Sequence, residues 1–71
     1  MTDRRRPQPI VLELRALRKA KGMTQQRLAS ASGYSHVCVN RWETGISDPS
    51  IRAVSECAQA LGVMLKIEVA K

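Results

Sequence analysis

The stretch GMTQQRLASASGYSHVCVNRWETG, residues 22–45, decides how this chain folds. Two hydroxyl residues, Thr24 and Ser35, each stand just before a short segment with apolar residues at helical spacing. A Ser or Thr in that place accepts a hydrogen bond from the N–H groups that a helix start leaves unpaired. Leu28 and Ala29 give the first segment its inward face, and Val39 and Trp42 give the second its own. Gly33 and Gly45 follow the two segments, where a residue without Cβ takes the positive φ that ends a helix. Two short helices joined by a tight turn are the expected result.

Working outward, Pro9 suits a first helical position, and Ile10, Leu14 and Leu17 recur at helical spacing up to a stop at Gly22. On the other side, Asp48-Pro49 reads as an N-cap followed by proline at the first helical position. Ile51, Val54, Ala58 and Leu61 then line one face of a fourth helix, which Gly62 stops. The expectation is an all-α domain over residues 10–62, preceded by a flexible basic arm, residues 1–9. The tail, residues 63–71, changes period. Val63, Leu65, Ile67 and Val69 alternate with Met64, Lys66 and Glu68, which is strand spacing. A lone strand cannot satisfy its own backbone, and nothing else here reads as a strand. Pairing with the same strand of a second copy resolves this and predicts a homodimer. The competing readings are that the tail continues the fourth helix or frays. Gly62 and the β-branched residues weigh against continuation.

Seventy-one residues make one small domain, which buries only about 60% of its unfolded surface and leaves little room for a deep substrate pocket. No apolar run reaches the roughly 20 residues of a membrane span. The basic start, Met1 to Pro7, is followed by no apolar segment and cleavage site, so it is not read as a secretory signal. Two cysteines and one histidine make no four-ligand zinc site without carboxylate help. Cys38 and Cys57 read as small hydrophobes in a reducing cytoplasm, with a redox switch as the rarer alternative. With no paired carboxylates at helical spacing and no phosphate-cradling glycine loop, the inventory lacks a reaction centre and calls for no cofactor or metal.

Charge is more telling. The net charge is +6, and all of the excess lies in residues 1–27, with eight basic and two acidic side chains. Residues 28–71 carry four of each. Such a one-sided positive field fits a polyanion, and nucleic acid is the commonest in a cytoplasm. The plainer reading is a solubilising run on a loose terminus.

Gly22-Met23-Thr24-Gln25, Leu28-Ala29, Gly33-Tyr34-Ser35, Val39, Trp42-Glu43-Thr44-Gly45, Pro49 and Leu61-Gly62 agree in register with one family. The chain resembles the phage-repressor and Cro helix-turn-helix proteins, also called the XRE family, from about Leu12 to Leu61. The resemblance implies a four-helix, lambda-repressor-like DNA-binding domain whose third helix lies in the major groove. With Val39 and Trp42 inward, His36, Val37, Asn40 and Arg41 fall on the outer face, beside Ser35. Arginine forks onto guanine, asparagine onto adenine, and valine touches a thymine methyl. His36 would donate to guanine or phosphate. These five are the candidate base contacts, each with a solvated surface residue as its plainer alternative.

Candidate backbone contacts are Thr24 and Gln25 at the start of the second helix, Thr44 and Ser47 after the third, and Arg4, Arg5 and Arg6 in the arm. By resemblance Gln25 reaches a phosphate or braces the third helix. The family often pairs an arginine of the first helix with the glutamate ending the third. Arg18 and Glu43 match those places, a pairing that would hold Arg18 near the DNA backbone. Trp42 reads as core. Val63, Leu65, Ile67 and Val69 are the dimerisation candidates.

The expectation is a cytoplasmic, nucleoid-associated, prokaryotic or phage-encoded regulator, a repressor that binds inverted repeats of double-stranded DNA as a homodimer. It leaves no length for a separate ligand-sensing domain. The alternative is the antitoxin of a toxin–antitoxin pair, which binds a toxin protein and controls its own operon. A third reading is an interaction adaptor that has lost DNA binding.

Overall fold

In the computed structural model, residues 6–66 are described and form four helices: α1 (Pro9–Ala20), α2 (Gln25–Ser32), α3 (His36–Thr44) and α4 (Ile51–Ala60). Three begin on a hydroxyl cap. Thr24 Oγ1 accepts from Arg27 N at 3.0 Å, Ser35 Oγ from Cys38 N at 3.1 Å and Ser50 Oγ from Ala53 N at 3.0 Å. α1 begins instead with Pro9 at its first turn, where a missing N–H costs nothing.

The turn between α2 and α3 depends on Gly33. It sits at φ 88°, and the Gly33 and Tyr34 N–H groups both donate to Ala29 O. Gly45 closes α3 in the same way at φ 83°, with Ile46 N–H reaching back to Arg41 O.

α2 packs against both α3 and α4, and α1 lies across α3 and α4. Leu28, Ala29, Val39, Cys57 and Leu61 form the buried centre, with Leu14, Leu17, Met23, Trp42 and Ala60 packed on it. Trp42 is therefore core-facing, and it meets the ring of Tyr34 edge-on at 5.1 Å between centroids. The Tyr34 hydroxyl donates to Glu56 Oε1 of α4, which pins the turn to the last helix and raises the phenol above its ordinary value. Burial pushes the Cys57 thiol up, as suits a small hydrophobe.

The start of α4 differs from expectation. Ser50, not Asp48, is the cap, and Pro49 precedes the helix instead of opening it. Ser50 wins because its hydroxyl meets the Ala53 N–H. Ile51, expected in the core, is 83% exposed, while Ala53 and Val54 of the same first turn are buried. The inner face is Ala53, Val54, Cys57, Ala58 and Leu61. In α1 likewise, Val11 is buried while Ile10 is exposed.

Of the tail, residues 63–66 form no strand. Val63 N–H donates to Ala58 O, and Val63, Met64 and Leu65 wall an open apolar groove of about 580 Å³ against Ile10, Leu14 and Leu17. Ile67 and Val69, and Arg4 and Arg5 of the arm, lie outside the described residues.

Candidate nucleic-acid interface

α3 is two-faced by its own period. Val39 and Glu43 are buried, while His36, Val37, Asn40, Arg41 and Thr44 are exposed. The four outward residues expected from the sequence therefore share one open surface. Ser35, at the tip of α3, uses its oxygen as the cap and keeps its O–H free to donate.

Behind this surface runs a continuous polar chain. Arg18 Nε and Nη2 donate to Glu43 Oε2 and Oε1, both at 2.8 Å, a forked and buried ion pair. Arg18 Nη1 also donates to Met23 O at 2.7 Å. Gln25, at the first position of α2, donates from Nε2 to Glu43 Oε1 at 2.9 Å. Its Oε1 faces α3 and accepts from Asn40 Nδ2 at 3.2 Å. His36 Nε2 lies 3.1 Å from the same oxygen. A carboxamide oxygen only accepts, so this contact is a hydrogen bond when Nε2 carries the proton. In a neutral ring that spends the one N–H, leaving an acceptor where the sequence reading expected a donor.

Burial alone would raise the Glu43 carboxyl. The hydrogen bonds from Arg18 and Gln25, with the charges of Arg18 and Arg15, outweigh it and hold the group below its ordinary value. Glu43 is thus an anion, and every group facing it must donate.

The candidate backbone contacts divide. Thr24 is exposed at the α2 start, where free N–H groups and the positive dipole end suit a phosphate. Gln25 has both lone pairs occupied and one Nε2 hydrogen left, so it has only a donor to offer. Thr44 Oγ1 already donates to Asn40 O at 2.9 Å, and Ser47 is half-buried. Arg18 is 7% exposed with its guanidinium engaged on three acceptor atoms, which makes it scaffold and not a free phosphate donor. Arg6 is exposed. The sequence offered Arg18–Glu43 and Gln25 as separate features. The bond joining them spans 18 positions, and no local spacing signals it. Among the described residues no cluster could hold a metal ion, and no helix is long and apolar enough to cross a membrane.

The chain is similar to known proteins in sequence and fold. A helix-turn-helix family model matches residues 14–65. The chain is 40% identical over 47 residues to the uncharacterized HTH-type transcriptional regulator y4dJ of Sinorhizobium fredii (strain NBRC 101917 / NGR234), covering 66% of this chain and 61% of that protein. The chain thus spans less than two thirds of this relative's length. Among solved structures, the restriction-modification controller protein C.AhdI of Aeromonas hydrophila superposes with a TM-score of 0.72 at 35% identity, covering 76% of this chain and 82% of that one. A toxin–antitoxin module from Streptococcus pneumoniae gives 0.70 at 32% identity, over 87% and 68%. The family match covers most of the four-helix domain, including the braced outer face of α3: the chain belongs to the XRE-type helix-turn-helix family of DNA-binding transcription regulators.

Proposed function

We propose that the chain is a sequence-specific DNA-binding repressor that sits on inverted repeats as a homodimer, with α3 of each subunit in a major groove. The observation that supports this best is the outer face of α3, where His36, Val37, Asn40 and Arg41 stand exposed on a helix braced from behind by Gln25. Ser35, His36, Val37, Asn40 and Arg41 read base edges. Thr24 and Gln25 hold phosphates at the α2 start, with Arg4, Arg5 and Arg6 following the backbone and Ser47 as a lesser donor; Thr44 joins them only by giving up its hydrogen bond to Asn40 O. Arg18 supports the site from the core. Val63, Leu65, Ile67 and Val69 join the two subunits, which sets half-sites about one turn, 34 Å, apart. Repression follows from occupying a promoter, and the cytoplasmic nucleoid is the expected location.

Selection from a random duplex pool at near-physiological salt tests this. An enriched inverted repeat is the expected result. No enrichment by folded protein sinks it and leaves the adaptor reading, or an antitoxin that needs its toxin to bind DNA tightly.

One observation favours a second reading, the likeness to a toxin–antitoxin module, together with the open apolar groove beside the tail. As an antitoxin the chain would bind a toxin protein and control its own operon. Co-expression with the product of an adjacent gene, followed by co-purification at equal stoichiometry, would establish it.

A further inference from the structure

Four side chains are joined by hydrogen bonds that run from Glu43 in the core to Gln25 and fork there to Asn40 and His36 at the surface, and their direction is fixed at the inner end. Glu43 is an ion-paired carboxylate, so it accepts only. Gln25 must turn its NH2 group toward it. The Gln25 oxygen is thereby forced outward, where Asn40 and His36 must both present N–H groups. Asn40 is left with its Oδ1 and its second Nδ2 hydrogen, an acceptor and a donor side by side. That pair matches the N6–H and N7 edge of adenine.

We propose that Glu43 is a specificity-positioning residue: its buried negative charge, relayed through the Gln25 carboxamide, locks Asn40 in the orientation that reads adenine. Glu43 itself touches no base. With the charge gone, the Gln25 amide turns over at little cost, and Asn40 loses its fixed donor–acceptor order. The ordering matters because an asparagine free to turn over presents either order to the groove and discriminates poorly. This inference rests on the DNA-binding reading above.

The test compares base preference, position by position, on the operator selected by the wild-type chain. The first variant is Arg18→Met with Glu43→Leu, which replaces the buried pair by apolar groups and avoids leaving one charge alone. The second is Gln25→Met, which keeps the ion pair intact and breaks the relay one step further out. Asn40→Ala identifies the position that Asn40 reads. There the wild type should prefer adenine by about 5- to 150-fold, the fold equivalent of one good bidentate contact. Both relay variants should bring that preference to about 2-fold or less and leave the position read by Arg41 unchanged. A merely structural role would lower affinity for all sequences alike and preserve the ratio. An adenine preference retained in Gln25→Met overturns the relay, even if the double variant does not fold. A wild-type chain that enriches no sequence overturns the DNA-binding reading as well, which separates the two failures.

Discussion

Arg41 is the side chain on which sequence reading by this domain is most simply tested. It is exposed on the outer face of α3, one turn beyond His36 and Val37. A guanidinium there can fork onto guanine O6 and N7, a contact worth about 1–3 kcal/mol of discrimination. Arg41→Ala should therefore weaken specific binding by about 5- to 150-fold and relax one base position. A selection profile identical to wild type would remove it from the reading set. Glu43 makes the contrasting case of a residue acting from the interior. Its carboxyl is held below its ordinary value in the fold. The stability it contributes is complete above the unfolded carboxyl value of about 4.3 and is lost as pH falls through the lower folded value. Melting temperature should drop across that acid window, and the drop should shrink in the Arg18→Met, Glu43→Leu double variant. Equal slopes in the two proteins would show that other carboxylates dominate. Glu43→Gln alone leaves Arg18 buried without its counter-ion, and should cost about 3–5 kcal/mol in chemical denaturation.

At the scale of elements, the caps decide where each helix starts, and their loss should be measurable. Ser50→Ala removes the acceptor of the Ala53 N–H and should cost about 1 kcal/mol, within a range of about 0.5–2. A denaturation midpoint equal to wild type would mean that another group takes over the cap. Gly33→Ala isolates a different quantity. Nothing lies within 4 Å of a Cβ built there, so its cost is that of left-handed backbone, about 1–2 kcal/mol. A destabilisation well above that range would point to a contact in the turn that the open space does not account for.

These elements also show what was legible in the sequence. Thr24 and Ser35 stood alone before their helices, so the caps could be read directly. Before α4, Asp48 and Ser50 are both competent caps, and Pro49 between them favours Asp48 by rule. Only the meeting of Ser50 Oγ with Ala53 N–H settles the choice. The phase of α4 survived that two-residue error, since Val54, Ala58 and Leu61 are all buried. Ile51 lies at the margin of the arc that Ala53, Val54, Cys57, Ala58 and Leu61 bury, and an i, i+3, i+7 pattern does not tell the margin of a face from its centre. The outer residues of α3 could be read from Val39 and Trp42, since periodicity does give a direction. The Gln25–Glu43 bond could not, because it depends on how the turn at Gly33 sets α2 against α3.

For the whole molecule, the proposed homodimer requires that two such domains be held on one DNA. A single α3 offers few base contacts, and two held in register gain by effective concentration without any new contact. The groove between α1 and residues 63–65 leaves Ile10, Val63, Met64 and Leu65 accessible, and the alternating pattern continues into Ile67 and Val69. A strand formed there needs a second strand to pair with, which a second copy of the chain would supply. Truncation after Lys66 separates the two contributions. It removes Ile67 and Val69 but keeps the Val63–Ala58 hydrogen bond that closes α4. The truncated chain should melt within a few degrees of the full chain at low concentration, yet sediment as a monomer where the full chain is a dimer. It should also bind an isolated half-site as well as before while losing most of its advantage on the inverted repeat. Should it sediment as an unaltered dimer, the subunits join elsewhere, and the exposed apolar residues of α1 become the surface to mutate next.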